Sequence, residues 1–262
     1  MTTSLLEHFV ITQLFAFLLI FTRIGAGIMT LPGFGEAYVP SRYRLYLAGS
    51  MSILMVPIFG QQMPEVPGSP LSLAALILAE VLIGLFIGTL SRLLISAIHI
   101  AGSIIANQSS LSMATVFDPS QGGQSTVIGN MMTLMSVVLF FMLDIHHIML
   151  NGLADSYSLF PPGQFPIMED MSNHLMGLMD RSFAIAIQLS APHIIFTLMF
   201  YLCSGIISRM VPVLPVFFVL MPLQMLAAFF LLMATLTMMM MHYNDYVEES
   251  LRAFLDHDLE AR

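Results

Sequence analysis

An all-α membrane protein is the fold class that this sequence predicts, and three observations carry it. Of 262 residues 57% are hydrophobic and only 9% are charged, whereas a soluble domain carries roughly 25% charged residues. The mean hydropathy is +0.87. The apolar residues fall in long runs set apart by Pro- and Gly-rich breaks, and about 20 such residues cross a hydrocarbon core of ~30 Å. These runs are too many and too spread along the chain for the first to be only a signal peptide, and no small-residue cleavage site follows it.

The first run, residues 10–29, is a full span whose anomaly is Arg23, a charge that is costly in lipid and so should face protein, water or the interface. Residues 30–44 break it with Pro32, Gly33, Gly35 and Pro40 and end on Arg42 and Arg44. Residues 45–59 form a second run, shorter than a full span and ended near Pro57. The linker 60–70 that follows has no basic residue. Basic loops favour the cytoplasmic side, so Arg42 and Arg44 are expected inside, with the N-terminus and the linker outside.

Residues 71–106 are apolar for longer than a bilayer requires, roughly 54 Å as one helix. They are either two segments or one helix that projects beyond the membrane within an assembly. Residues 107–126, NQSSLSMATVFDPSQGGQST, are then the longest uncharged polar interval apart from Asp118. Loops of this length are uncommon inside compact folds and are usually functional or disordered.

A further run, 127–143, ends in Asp144-Ile145-His146-His147, and the polar, Pro-rich stretch 151–170 reads as an extramembrane connection. Residues 171–181 start an interfacial helix that leads into 183–207, where Pro192 should kink the run by removing a backbone donor. A basic break at 208–212 precedes the last run, 213–241, interrupted by Pro215 and Pro222. The tail from His242 is amphipathic and acidic.

Several chemistries find little support. Eight Arg, no Lys and sixteen acids give a formal charge of −8, contrary to the basic patches that nucleic acid requires. A single cysteine, Cys203, excludes an intrachain disulfide and a cysteine-built metal site. Hydrolase, metalloprotease and phosphate-loop motifs are absent, so the expectation is no enzyme and no cofactor. Asp144, His146 and His147 are of metal-ligand type, but adjacent histidines do not readily converge on one ion from a regular helix. A polar helix end at the membrane surface is the reading preferred, with no metal. Met238 to Met241 suggest soft-metal transport, yet four successive residues point all round a helix and suit packing better.

The intramembrane charges Arg23, Glu80, Arg92 and Arg209 line the pathway in a transporter, or else pair with one another or with neighbouring subunits, buried in protein. Gly84, Gly88 and Gly102 favour the second, because small residues let helices approach.

With these residues assembled, the chain resembles the FliR family, the export-gate subunit of the flagellar type III secretion system, with SctT as its counterpart in virulence systems. The resemblance rests on Arg23, Gly25, Pro32, Gly35, Pro40 and Arg44, then on Glu80, Gly84, Gly88, Ala101-Gly102, Gln108, Phe117-Asp118-Pro119 and Gln124. It continues through Asp144, His146, His147, Ser156, Pro162-Gly163, Ala191-Pro192, Gly205, Ser208-Arg209, Pro212 and Pro222. Two departures stand out: Ser109-Ser110 where the family often has Gly soon after Gln108, and Val213-Leu214-Pro215 in place of Gln and Asn after Pro212.

The resemblance implies an all-α fold of helical hairpins, with a FliP-like part over residues 1–180 and a FliQ-like hairpin over 181–262. It implies one copy joining five FliP-like and four FliQ-like subunits in a helical cone, with an FlhB-like subunit at the entrance and unfolded flagellar subunits passing through. The location implied is the bacterial inner membrane, in the flagellar basal body and partly raised toward the periplasm. In that family the loop matching 107–122 plugs the closed channel, which brings forward Gln108, Ser110, Leu111, Met113, Phe117, Asp118, Pro119 and Gly122. Arg23, Glu80, Arg92 and Arg209 become intersubunit or buried charges. The rival is a small-solute or ion transporter acting through Glu80, Arg92 and Asp144.

Overall fold

The computed structural model describes residues 2–110, 126–166, 168–210 and 216–256, and among these it forms seven α-helices and no strand. They are α1 (Thr2–Thr30), α2 (Ser41–Phe59, continued by a 3-10 turn Gly60–Gln62), α3 (Pro70–Gln108), α4 (Val127–Met142), α5 (Ile145–Leu159), α6 (Met168–Met210) and α7 (Val216–Asp256). Five segments are long and apolar enough to cross a membrane, and the broken pair α4 and α5 offers a sixth. The chain is an all-α membrane protein.

Several boundaries differ from the expectation, for one physical reason. The segment Ser41–Gln62 has 22 residues and is long enough to span; Pro57 lies inside α2, Pro192 inside α6 and Pro222 inside α7. A proline removes one donor and crowds one carbonyl, and a long helix in an apolar environment absorbs that by local adjustment rather than ending. The stretch 171–181 leads into 183–207 within the 43-residue α6. Of the two readings open for 71–106, the single helix holds: α3 has 39 residues, roughly 58 Å at 1.5 Å per residue.

The chain divides into two compact units, and α3, α6 and α7 contribute residues to both. In the first unit (1–93, 143–178 and 249–262) α1 turns Leu19, Ile20, Ile24 and Ile28, all with no exposed surface, into the core. That spacing is the buried stripe of a helix. Gly84 and Gly88, one turn apart on α3, lie so close to α1 that a Cβ would meet the carbonyl oxygen of Arg23 at the first and the hydroxyl of Thr30 at the second. The turn after α1 is tied back by Gly35 N–H to Leu31 C=O (2.7 Å). Arg44, which the sequence offered as a topology signal, donates to the carbonyls of Glu36 (2.7 Å) and Val39 (2.8 Å).

In the second unit (94–142 and 179–248) the later part of α3 packs with α4, α6 and α7. A Cβ at Gly102 would stand 2.6 Å from the Cα of Gly129, so α3 and α4 cross through a pair of glycines. The Tyr243 hydroxyl donates to Leu94 C=O (3.1 Å) and its ring stacks on Phe140. Ser182 of α6 and Tyr246 of α7 share a hydrogen bond of 3.2 Å. The Met238 to Met241 run divides evenly: Met239 and Met240 are buried, Met238 and Met241 exposed. Half of that run therefore packs the core and the other half is exposed, as are many large apolar side chains of α2, α6 and α7.

Candidate functional site

Two places in the fold hold the residues that the sequence singled out. The first is a sealed ion pair. Arg23, about two turns before the end of α1, and Glu80, one turn before Gly84 on α3, are 0% and 1% exposed, and Nε of Arg23 donates to Oε2 of Glu80 at 2.5 Å. The remaining guanidinium donors go to the end of α5, where Nη1 reaches Ser156 C=O (3.0 Å) and both terminal nitrogens reach Phe160 C=O (3.1 Å each). Those carbonyls belong to the last turn of α5 and the residue capping it, at the negative end of the helix dipole; Ser156 C=O also accepts from Phe160 N–H (2.9 Å). One cation thus neutralises a carboxylate on α3 and caps α5.

Apolar groups close the pair off from water. The Tyr157 ring lies 4.2 Å from the guanidinium carbon, within the range of a cation–π contact. Phe59 stacks on Tyr157 with centroids 4.6 Å apart, and Phe86 meets Phe160 edge to face at 6.0 Å. Charges so enclosed are held by their hydrogen bonds and are not arranged to exchange a proton or a solute with solvent.

The second place is the root of the polar loop. Residue 108 ends α3, and its carbonyl accepts from Nε2 of Gln224 on α7 (2.8 Å) and from Oγ1 of Thr197 on α6 (3.2 Å). Ser109 N–H reaches Ile105 C=O, and Ser110 follows with a φ of 60°. At the far root Thr126 caps α4: its hydroxyl accepts from Gly129 N–H (3.1 Å) and shares a bond with Ser103 of α3 (3.3 Å), the arrangement preferred at a helix start. His99 and Thr133 add a second polar contact between the same helices (3.3 Å). Both ends of the loop are therefore fixed on adjoining helices. Leu111, Met113, Phe117, Asp118, Pro119 and Gly122 lie outside the described residues.

The left-handed backbone at Ser110 costs an L-residue roughly 1–2 kcal/mol, part of which glycine returns through its greater freedom in the unfolded chain. Ser110→Gly is therefore expected to stabilise the chain by about 0.5–1 kcal/mol, read as a higher thermal midpoint of the purified protein. A lower midpoint would show that the Ser110 side chain contributes more than its backbone strain removes.

The other singled-out residues are dispersed. Arg92 and Arg209 are exposed on α3 and α6. Arg92 is twelve residues from Glu80 on one helix, ~18 Å along its axis, and the Asp144 side chain is 75% exposed. Among the described residues no bond joins Glu80, Arg92 and Asp144, so the constellation needed by a transporter is not assembled. The expectation that Asp144, His146 and His147 diverge is corrected: their donor atoms all lie within 4.8 Å of one another. Asp144 has left the regular helix, with φ 59° and ψ 15°. Gln224, Thr197, Ser156 and Tyr157 escaped the sequence reading as partners, because their targets are backbone carbonyls or a charge far away in the chain.

Comparison with known proteins gives matches over nearly the whole chain. Residues 14–250 match the family described as bacterial export proteins, family 1. The flagellar biosynthetic protein FliR of Caulobacter vibrioides is 33% identical over 242 residues, covering 92% of this chain and 96% of its own length. FliR of Bacillus subtilis is 32% identical over 85% of this chain and 86% of its own. The Yop proteins translocation protein T of Yersinia pestis is 28% identical over 74% of each. With a family match over most of its length and a relative above 30% identity from end to end, the chain belongs to the bacterial export proteins of family 1, the FliR family.

Proposed function

We propose that this chain is an export-gate subunit of the flagellar type III secretion channel, in the inner membrane and partly raised toward the periplasm. The observation that carries the reading is the end-to-end similarity to flagellar FliR proteins; the similarity to the Yersinia translocation protein is lower and shorter. In this reading one copy completes a pore with five FliP-like and four FliQ-like subunits, beside an FlhB-like subunit. Residues 1–180 take the FliP-like part and 181–262 the FliQ-like hairpin, consistent with the bond between Ser182 of α6 and Tyr246 of α7. The exposed Arg92 and Arg209 and the apolar outer surface face neighbouring chains.

The loop after Gln108 is the plug, with Leu111, Met113, Val116 and Phe117 as apolar anchors, Phe117-Asp118-Pro119 as a turn, and Gly122 at its end. A loop of small polar residues with few anchors packs weakly enough to yield to a passing unfolded chain. Its fixed roots at Gln108 and Thr126 let it return.

Deleting residues 110–121 in the assembled gate is expected to raise resting conductance to small ions and solutes, measured in planar bilayers or by dye uptake. Conductance equal to the intact gate would remove the plug role. Failure of the chain to copurify with FliP-like and FliQ-like proteins would remove the gate reading itself.

A further inference from the structure

The start of α5 gathers three donor groups that the gate reading does not use. Asp144 occupies the N-cap position of α5 but its side chain makes no capping hydrogen bond, so the ordinary role of an Asp there is unfilled. It holds a left-handed backbone, φ 59° and ψ 15°, uncommon outside glycine though more frequent for Asp and Asn. That conformation turns its carboxylate toward the first turn of α5, where Oδ1 lies 3.4 Å from Nδ1 of His147. The rings of His146 and His147 stand 4.1 Å apart between centroids, with planes inclined by 35°. Donor atoms of all three residues fall within 4.8 Å of one another, in a position that leaves Asp144 and His147 exposed.

We propose that Asp144, His146 and His147 form a surface site for one divalent transition-metal ion of the zinc class. Two ligand atoms on a tetrahedral ion with bonds of ~2.0–2.1 Å stand roughly 3.3–3.4 Å apart, which is the separation of the Asp144 and His147 donors. The third donor joins by rotation of the exposed Asp144 and His147 side chains, whose solvated surroundings oppose that little. Two imidazoles with one carboxylate select zinc-like ions over magnesium and calcium, which favour oxygen ligands. Water completes the coordination on the exposed side. The ion would tie residue 144 to residues 146 and 147 and so fix the first turn of α5. This site rests on its own geometry and stands whether or not the chain plugs a channel.

The test uses the full chain purified in detergent without a histidine tag, stripped with chelator and titrated calorimetrically with zinc chloride. One equivalent per chain is expected. Asp144→Asn, His146→Ala and His147→Ala should each weaken binding by at least the ~10–100-fold that loss of an outer-shell partner costs. His174→Ala, at an exposed histidine of α6, should leave it unchanged. Cobalt(II) gives an independent signature: visible d–d bands of a low-symmetry site in the intact chain, lost in the three variants. Because two of the three side chains are exposed, the variants should keep the gel-filtration profile and helical circular dichroism of the parent. An intact chain that takes up no zinc, or variants at the three positions that bind like the parent or like His174→Ala, would overturn the proposal.

Discussion

Glu80→Ala is expected to destabilise the chain by about 3–5 kcal/mol, the penalty for leaving one member of a buried ion pair without its partner. The Arg23 guanidinium is 0% exposed and would lose its one ionic acceptor while keeping the carbonyls of Ser156 and Phe160. Dipoles offset a buried charge less fully than a carboxylate does. Glu80→Gln keeps an acceptor in nearly the same place and should lose roughly half as much, on the order of 2 kcal/mol, since hydrogen bonds to charged groups contribute about 1.5–3 kcal/mol.

Arg23→Met is expected to be as harmful as Glu80→Ala for a different reason, because it also removes both guanidinium donors from Phe160 C=O and leaves Ser156 C=O with Phe160 N–H alone. The double variant Arg23→Met/Glu80→Leu separates the two effects. It removes both charges, which alone is often close to neutral, so the deficit that remains measures the capping of α5. Thermal midpoints of the chain in detergent and its abundance in the membrane are the readouts. A midpoint for Glu80→Ala within error of the parent would mean that water or another acceptor reaches this site, contrary to its burial.

How much of this could be read beforehand follows from what each interaction uses. The helical class and its long apolar runs are written in hydropathy. The need for Arg23 and Glu80 to have partners follows from the cost of a charge in an apolar medium. Pairing among the four charges was an open reading, and Arg23 and Glu80 take it across 57 residues; that the rest of the guanidinium caps α5 was not legible, because Ser156 and Phe160 contribute backbone oxygens that every sequence possesses. The same applies to the carbonyl of Gln108, bonded by Gln224 and Thr197. Proline misled in the other direction at Pro57, which was expected to end the second run and sits inside α2. Asp144 defeated an argument built on regular helix geometry by adopting φ 59°.

Family membership adds what the helices alone do not. It makes the chain a structural component of secretion machinery and not an enzyme, and it removes the need to find chemistry in Glu80, Arg92 and Asp144. A charge fixed by five hydrogen bonds to one carboxylate and one helix end organises helices.

The second large effect is expected where that organisation depends on having no side chain. Gly84→Ala adds a methyl group against the carbonyl of Arg23. A backbone atom cannot rotate away, so α1 must move from α3, and overpacking of this kind costs about 1–3 kcal/mol. Glu80 lies one turn before Gly84 on the same face of α3, so the displacement also lengthens the Arg23–Glu80 bond and carries the loss toward that of Glu80→Ala. Gly49, in α2, is the matched control, with nothing within 4 Å of the position a Cβ would take. There Ala should stabilise the helix by roughly 0.5–1 kcal/mol, since glycine inside a helix is unfavourable by that amount. One chemical change is thus expected to have opposite signs at two helical glycines of one chain. Combined with Glu80→Ala, Gly84→Ala should add less than it costs alone, because both act on one contact. Equal midpoints for Gly84→Ala and Gly49→Ala would contradict the close crossing of α1 and α3, and full additivity with Glu80→Ala would separate that crossing from the ion pair.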